Sequence, residues 1–243
     1  MNEVPKTVVL ISPCKLRHRL FISRLALHKI EIVGIIKDTS NSRFIFRRFF
    51  SFSRFLDFAL SLFEFLLLGR LKISDLPTFK IDTLGDDKLP ALINSLRPTV
   101  TIVYGGKIIP SATLGKILTP IINVHGSLLP GYRGLDSYWW ALLERHNSVQ
   151  GYSIHFVDSG IDTGNVLTTK QYSERTHSFY KHLNWRIWTA TESAQSVYTL
   201  LNSENLHTLG VVHKKDESLY RSSISIMSIT RYLFSIIMKR IKV

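Results

Sequence analysis

Residues 7–36 read TVVLISPCKLRHRLFISRLALHKIEIVGII, and this stretch decides the fold. Val8 to Ile11 is an unbroken apolar run stopped by Ser12-Pro13, the pattern of a strand buried on both faces that ends in a loop. Leu16, Leu20, Ile22 and Leu25 then recur at helical spacing, and Ile30 to Ile36 is a second apolar run. Strand, helix and strand with this burial pattern predict a right-handed βαβ start to a parallel sheet.

The alternation resumes further along. A short strand is expected at Thr78 to Ile81, a helix at Asp87 to Leu96 stopped by Pro98, and a strand at Thr99 to Tyr104 closing on Gly105-Gly106. Ile121 to His125 reads as a strand, Leu135 to His146 as a helix, and Tyr152 to Val157 and Gly164 to Thr169 as strands. A long helix at Ser178 to Leu201 and a strand at Leu206 to His213 follow, with Ser228 as the N-cap of a last helix. The fold expected is α/β, a doubly wound and mostly parallel sheet in one domain over residues 1–243. Two segments stand apart from it: a basic and hydrophobic helical insertion at about 38–76, and a helical tail at about 226–243.

Composition narrows the function classes. The formal charge is +13, from 31 Lys and Arg against 18 Asp and Glu, which favours anionic partners: nucleic acid, an anionic membrane or phosphorylated metabolites. A single cysteine, Cys14, excludes an intramolecular disulfide and any cysteine-built zinc site, and fits a reducing cytosol. The first apolar run is too short for a signal-peptide core. Phe55 to Leu68 is too short for a membrane span and carries Asp57 and Glu64. It reads either as a cover over the sheet or as an amphipathic helix on an anionic membrane, and the tail repeats its composition. The location expected is cytoplasmic, with peripheral contact to the inner face of the membrane left open.

Residues 123–134, NVHGSLLPGYRG, carry the chemistry. Asn123 and His125 lie at i and i+2 at the carboxyl end of a strand, so both side chains share one face. Parallel sheets bind ligands outside that end. A second stretch, HFVDSGIDTGNVL at 155–167, places Asp158 and Asp162 on a glycine-punctuated loop between two strands. Read singly, a strand-end histidine is a satisfied structural residue and a loop aspartate beside glycine is turn chemistry. No phosphate loop follows the first strand, since G-x-G-x-x-G and G-K-[ST] are both missing. The nine histidines show no ligand spacing, and no metal is expected.

The joint pattern closely resembles the folate-dependent formyltransferases, whose marks are N-x-H, then S/G-L-L-P, then D-x-G some forty residues on. They stand here as Asn123-Val124-His125, Ser127-Leu128-Leu129-Pro130 and Asp162-Thr163-Gly164, with Tyr132-Arg133-Gly134 matching the tRNA and sugar branches. The resemblance is strong from about Thr99 to Thr169. It implies a Rossmann-like formyltransferase fold and an enzyme using N10-formyltetrahydrofolate, with Asn123, His125 and Asp162 catalytic and His155 supporting them. Attack on the formyl carbon develops an oxyanion that needs aimed donors, which an amide and a protonated imidazole supply. The folate is expected against Gly105, Gly106, Lys107, Ile108, Ile109, Leu128, Asp158, Gly160 and Ile161. The acceptor is expected near Tyr132, Arg133 and Trp139.

The resemblance leaves the acceptor open, and an amino sugar on a nucleotide or lipid phosphate is the working expectation. About forty residues follow Ser203, too few for the barrel domain of the tRNA enzymes, so tRNA is expected to be a poor partner. A glycinamide ribonucleotide enzyme and a deformylase are the catalytic alternatives. A basic membrane- or RNA-binding module on the same fold is the non-catalytic one.

Overall fold

The computed structural model describes residues 5–11, 16–39, 62, 75–144, 150–173, 179–203, 210 and 219–221. Single positions apart, the expected helical insertion at 38–76, the strand at 206–213 and the helix at 226–243 lie outside the described residues, as does Cys14.

The opening stretch folds as read. β1 (Lys6–Ile11), α1 (Leu16–Leu27) and β2 (Glu31–Asp38) make a βαβ unit, with β1 and β2 parallel. β3 (Thr78–Ile81), α2 (Lys88–Leu96), β4 (Val100–Tyr104), a single helical turn α3 (Ser111–Leu114) and β5 (Ile121–His125) continue the pattern. β6 (Tyr132–Gly134) and α4 (Ser137–Leu143) follow, then β7 (Gly151–Phe156), β8 (Val166–Gln171), α5 (Phe179–Leu201) and β9 (Leu219–Arg221). Seven strands form one sheet in the order β3-β2-β1-β4-β5-β7-β8. β3 through β5 in that order run parallel, while β7 and β8 are antiparallel to their neighbours.

Strand alternation sends successive side chains to opposite faces, and each face has its own core. Val9, Ile102, Val124 and Ile154 pack with Phe21, Ile22 and Leu25 of α1 and Ala190, Ala194 and Val197 of α5. Val8, Ile36, Val103 and Ile121 pack with Leu89 and Ile93 of α2 on the other side. Every residue of β4 is buried, as an apolar strand covered on both faces requires. Each aliphatic side chain fully buried this way contributes about 1.5–3 kcal/mol. Among the described residues, no helix is long and apolar enough to cross a membrane.

Three features differ from the sequence reading. The helix expected at 135–146 begins at Ser137, because Asp136 takes a left-handed φ of 57° just ahead of it. β8 starts at Val166 rather than Gly164, whose position admits no side chain: a Cβ there would stand 1.9 Å from the Phe156 carbonyl oxygen. β6 and β9 form a separate two-stranded parallel ribbon, which their brevity hid.

Candidate active site

β5 ends the parallel run, and its carboxyl end carries Asn123 and His125 on the face opposite Val124. The antiparallel neighbour β7 sets His155 opposite Asn123 and Ser153 opposite His125. A loop from β7 to β8 then carries Asp162 back over the same face, with a left-handed φ of 50° that aspartate tolerates better than most side chains. Asn123, His125, His155 and Asp162, far apart in the chain, are thereby brought together.

Asp162 is the hub. Its Oδ1 accepts from Asn123 Nδ2 at 3.2 Å and lies 3.3 Å from His155 Nε2. Its Oδ2 accepts from the Gly134 backbone N–H at 2.8 Å and lies 3.4 Å from His125 Nδ1. Burial of the carboxyl pushes its pKa upward, but the His125 charge, the hydrogen bond and charge of His155 and the Gly134 N–H together outweigh that. The group is held well below the usual carboxylate range and is a permanent anion at neutral pH.

The ring nitrogens have distinct tasks. His125 Nε2–H donates to the Tyr132 carbonyl at 2.7 Å, a carbonyl that also accepts from Ser127 Oγ at 2.7 Å. Nδ1 of His125 therefore faces the carboxylate. His155 Nδ1–H donates to the Phe156 carbonyl at 2.8 Å, which leaves Nε2 between Asn123 Nδ2 at 3.1 Å and Asp162. A neutral His155 accepts from the amide, and a charged one donates to the carboxylate. Asn123 has two N–H bonds, and a neutral His155 and Asp162 take both. Charging His155 releases one of them for another acceptor.

The other expected residues fall into two groups. Gly105 (φ 64°) turns the chain out of β4; Ile109 is anchored in the core and Ile108 is 61% exposed. Lys107 forms an ion pair of 2.9 Å with Asp38, the buried last residue of β2. Leu128 packs at the sheet end, near enough that a Cβ on Gly151 would meet it at 2.7 Å. Gly160 is exposed and Ile161 half-buried. Asp158, expected against the folate, closes its own loop: Oδ1 accepts from Gly160 N at 3.0 Å and Thr163 Oγ1 at 2.6 Å. Tyr132 and Trp139, expected near the acceptor, are 0% and 4% exposed. Tyr132 donates its hydroxyl to Glu144 Oε2 and meets the site through its backbone carbonyl, because an apolar ring at this position packs inward. Arg133 is half-buried on the strand between them.

Several contributors were not singled out in advance. Ser153 Oγ bridges Ser127 O at 2.8 Å and Leu129 N at 2.9 Å, holding the turn after His125. The backbone of Tyr132 and Gly134 binds His125 and Asp162 directly. Neither is marked in sequence except by the Y-R-G match, since backbone groups carry no residue-type signature.

A family model described as formyl transferase matches residues 67–214. The chain belongs to the formyl transferase family. Methionyl-tRNA formyltransferase of Thermodesulfovibrio yellowstonii is 36% identical over 99 residues, 40% of this chain and 32% of that protein. A second such enzyme, from Nitratiruptor sp., is 37% identical over 94 residues, 38% of this chain and 30% of its own. The matched stretch thus spans about a third of these relatives' length. Solved structures of formyl transferases share the fold at lower identity. Phosphoribosylglycinamide formyltransferase from Anaplasma phagocytophilum superposes with a TM-score of 0.59 at 17% identity, over 92% of this chain and 100% of that one. The formyltransferase PseJ from Anoxybacillus kamchatkensis, solved with UDP-4,6-dideoxy-4-formamido-L-AltNAc and tetrahydrofolate, gives 0.53 at 19%, over 94% and 90%.

Proposed function

We propose that this chain transfers a formyl group from N10-formyltetrahydrofolate to a primary amine, and that the amine belongs to an amino sugar carried on a nucleotide or a lipid. One observation carries the reading: in a formyl transferase family member, Asn123, His125, His155 and Asp162 converge on one face at the carboxyl end of β5. The folate supplies the electrophilic formyl carbon. Its fit rests on the segment after β4, where a left-handed glycine exposes backbone and Ile108 offers an apolar surface beside it.

The chain's own residues then act as donors and proton carriers. Asn123 turns an N–H toward the reacting oxygen once His155 is charged and no longer accepts from it. His125 gives a proton to the leaving nitrogen as its bond to the formyl carbon breaks and takes one from the attacking amine as the new C–N bond forms. Asp162 stays anionic throughout and stabilises whichever imidazole is charged. Removing one oxyanion donor typically lowers kcat by about 10²–10³, and Asn123→Ala is expected to fall in that range.

The Y-R-G form at 132–134, which the sugar and tRNA branches share, favours those acceptors over glycinamide ribonucleotide. The methionyl-tRNA relatives make tRNA the arm to test beside the amino sugar. Purified protein is to be given N10-formyltetrahydrofolate with amino-sugar nucleotides, glycinamide ribonucleotide, initiator methionyl-tRNA or no acceptor, and tetrahydrofolate release followed. Release that needs an amino sugar and is lost in Asn123→Ala and His125→Ala is the expected result. Release with tRNA alone would replace the acceptor, and release without any amine would make the protein a deformylase. Absence of folate binding would end the enzyme reading.

A further inference from the structure

We propose that Arg133 and Tyr220 form a corner that holds a phosphate group of the acceptor. The inference rests on the amine-formylation reading and specifies the acceptor's class. β6 and β9 run parallel with Arg133 opposite Tyr220. Neighbours in register on parallel strands point to the same side, and the flanking residues to the other. Tyr132 takes the inner side with its ring fully buried, so Arg133 and Tyr220 share the outer side, where Tyr220 is 52% exposed.

β6 also holds the site through its backbone. The Tyr132 carbonyl binds His125 and the Gly134 N–H binds Asp162, so the backbone on each side of Arg133 holds the reactive pair. Arg133 therefore sets the acceptor's phosphate on the strand whose backbone holds His125 and Asp162.

Among the described residues the guanidinium has an unmet donor. Arg133 Nε is buried and makes no hydrogen bond, and among the described residues no carboxylate pairs with Arg133. Asp162, the carboxylate of the site, is engaged through both oxygens by Asn123, Gly134 and the two histidines. Arginine keeps its charge and presents a planar fork of donors, and leaving such donors buried without partners is costly. Phosphate matches that fork in a bidentate geometry better than any neutral group. Tyr220 adds a phenol that both stacks and hydrogen-bonds beside it. The net charge of +13 favours the approach of an anion.

The test is calorimetric binding of inorganic pyrophosphate at fixed ionic strength, with malonate as a dicarboxylate comparison and Arg24→Gln as a control for one lost surface charge. Pyrophosphate is expected to bind the wild type and Arg24→Gln alike. Arg133→Gln is expected to weaken it about tenfold or more, with partial recovery in Arg133→Lys. Tyr220→Ala, which leaves β6 intact, tests the second half and is expected to weaken uridine diphosphate or farnesyl diphosphate. Whichever of those two binds more tightly tells a nucleotide carrier from a lipid one. Equal binding to wild type and Arg133→Gln, or malonate matching pyrophosphate, overturns the proposal. Tetrahydrofolate binding is measured alongside in every variant. If it is retained while pyrophosphate fails to bind, the phosphate corner falls and formyl transfer stands. If it is lost in the wild type, the function falls on its own account.

Discussion

Asp162 has four polar partners on two oxygens, and its left-handed backbone is held by them. Its depressed pKa makes a statement about stability. The folded value lies below the unfolded one, so the stabilisation is fully present above the usual carboxylate range, near pH 4, and is lost as pH falls below it. Asp162→Asn is expected to cost about 1–3 kcal/mol at pH 7. In urea denaturation the gap to wild type should narrow as pH falls below about pH 4. A gap that stays unchanged below about pH 4 would show that Asp162 is not stabilised as its anion. His155 is separable from this: His155→Gln keeps a side chain able to accept from Asn123 but cannot carry the proton. It should lower kcat more than it raises KM for the folate.

Two connecting elements set the geometry that the strands carry. The loop between β7 and β8 brings Asp162 over His125, and Gly164 lets it pass close to the Phe156 carbonyl. Gly164→Ala should displace the loop and lower kcat/KM about tenfold or more, since a misplacement near 1 Å is enough for such losses. The expected sign is loss of activity exceeding loss of folding, read by comparing turnover with the urea midpoint. The turn after β5 depends on Ser153, which donates to Ser127 and accepts from Leu129. Ser153→Ala leaves both groups buried without that partner and should cost about 1–3 kcal/mol. On the opposite face of β7, the Tyr152 hydroxyl donates to Glu192 O at 3.0 Å and meets Ser196 Oγ at 2.7 Å, tying β7 to α5. Burial pushes that hydroxyl up to about 12, so it remains a donor across the working pH range.

At the scale of the molecule, the seven-stranded sheet, with a separate core on each face, holds the site at its carboxyl edge. Ile102 is fully buried in β4 and packs in the core shared by α1 and α5. Ile102→Ala should cost about 2–5 kcal/mol through lost burial and a residual cavity, measured by urea denaturation. Because Ile102 lies on the face opposite Asn123 and His125, the folded fraction should keep its KM for the folate. A raised KM would indicate that the two faces are mechanically coupled.

The sequence alone determined the βαβ opening, the apolar runs of β4 and β5, and the placement of Asn123 and His125 on one strand face. These are local: periodicity and side-chain type decide them within a few residues. The D-x-G loop could be read as chemistry only through its match to N-x-H, and the hydrogen bonds by which Asp158 closes that loop were not legible in it. The tertiary structure decided what depends on distant pairing. Antiparallel β7 set His155 beside Asn123 and Ser153 beside His125, and β6 met β9 to place Tyr220 by Arg133. It also turned Tyr132 and Trp139 inward, because large rings gain more from burial than from lining an open site. Backbone groups such as the Tyr132 carbonyl and the Gly134 N–H carry no side-chain signal, so their part in holding His125 and Asp162 becomes visible only when the chain is folded.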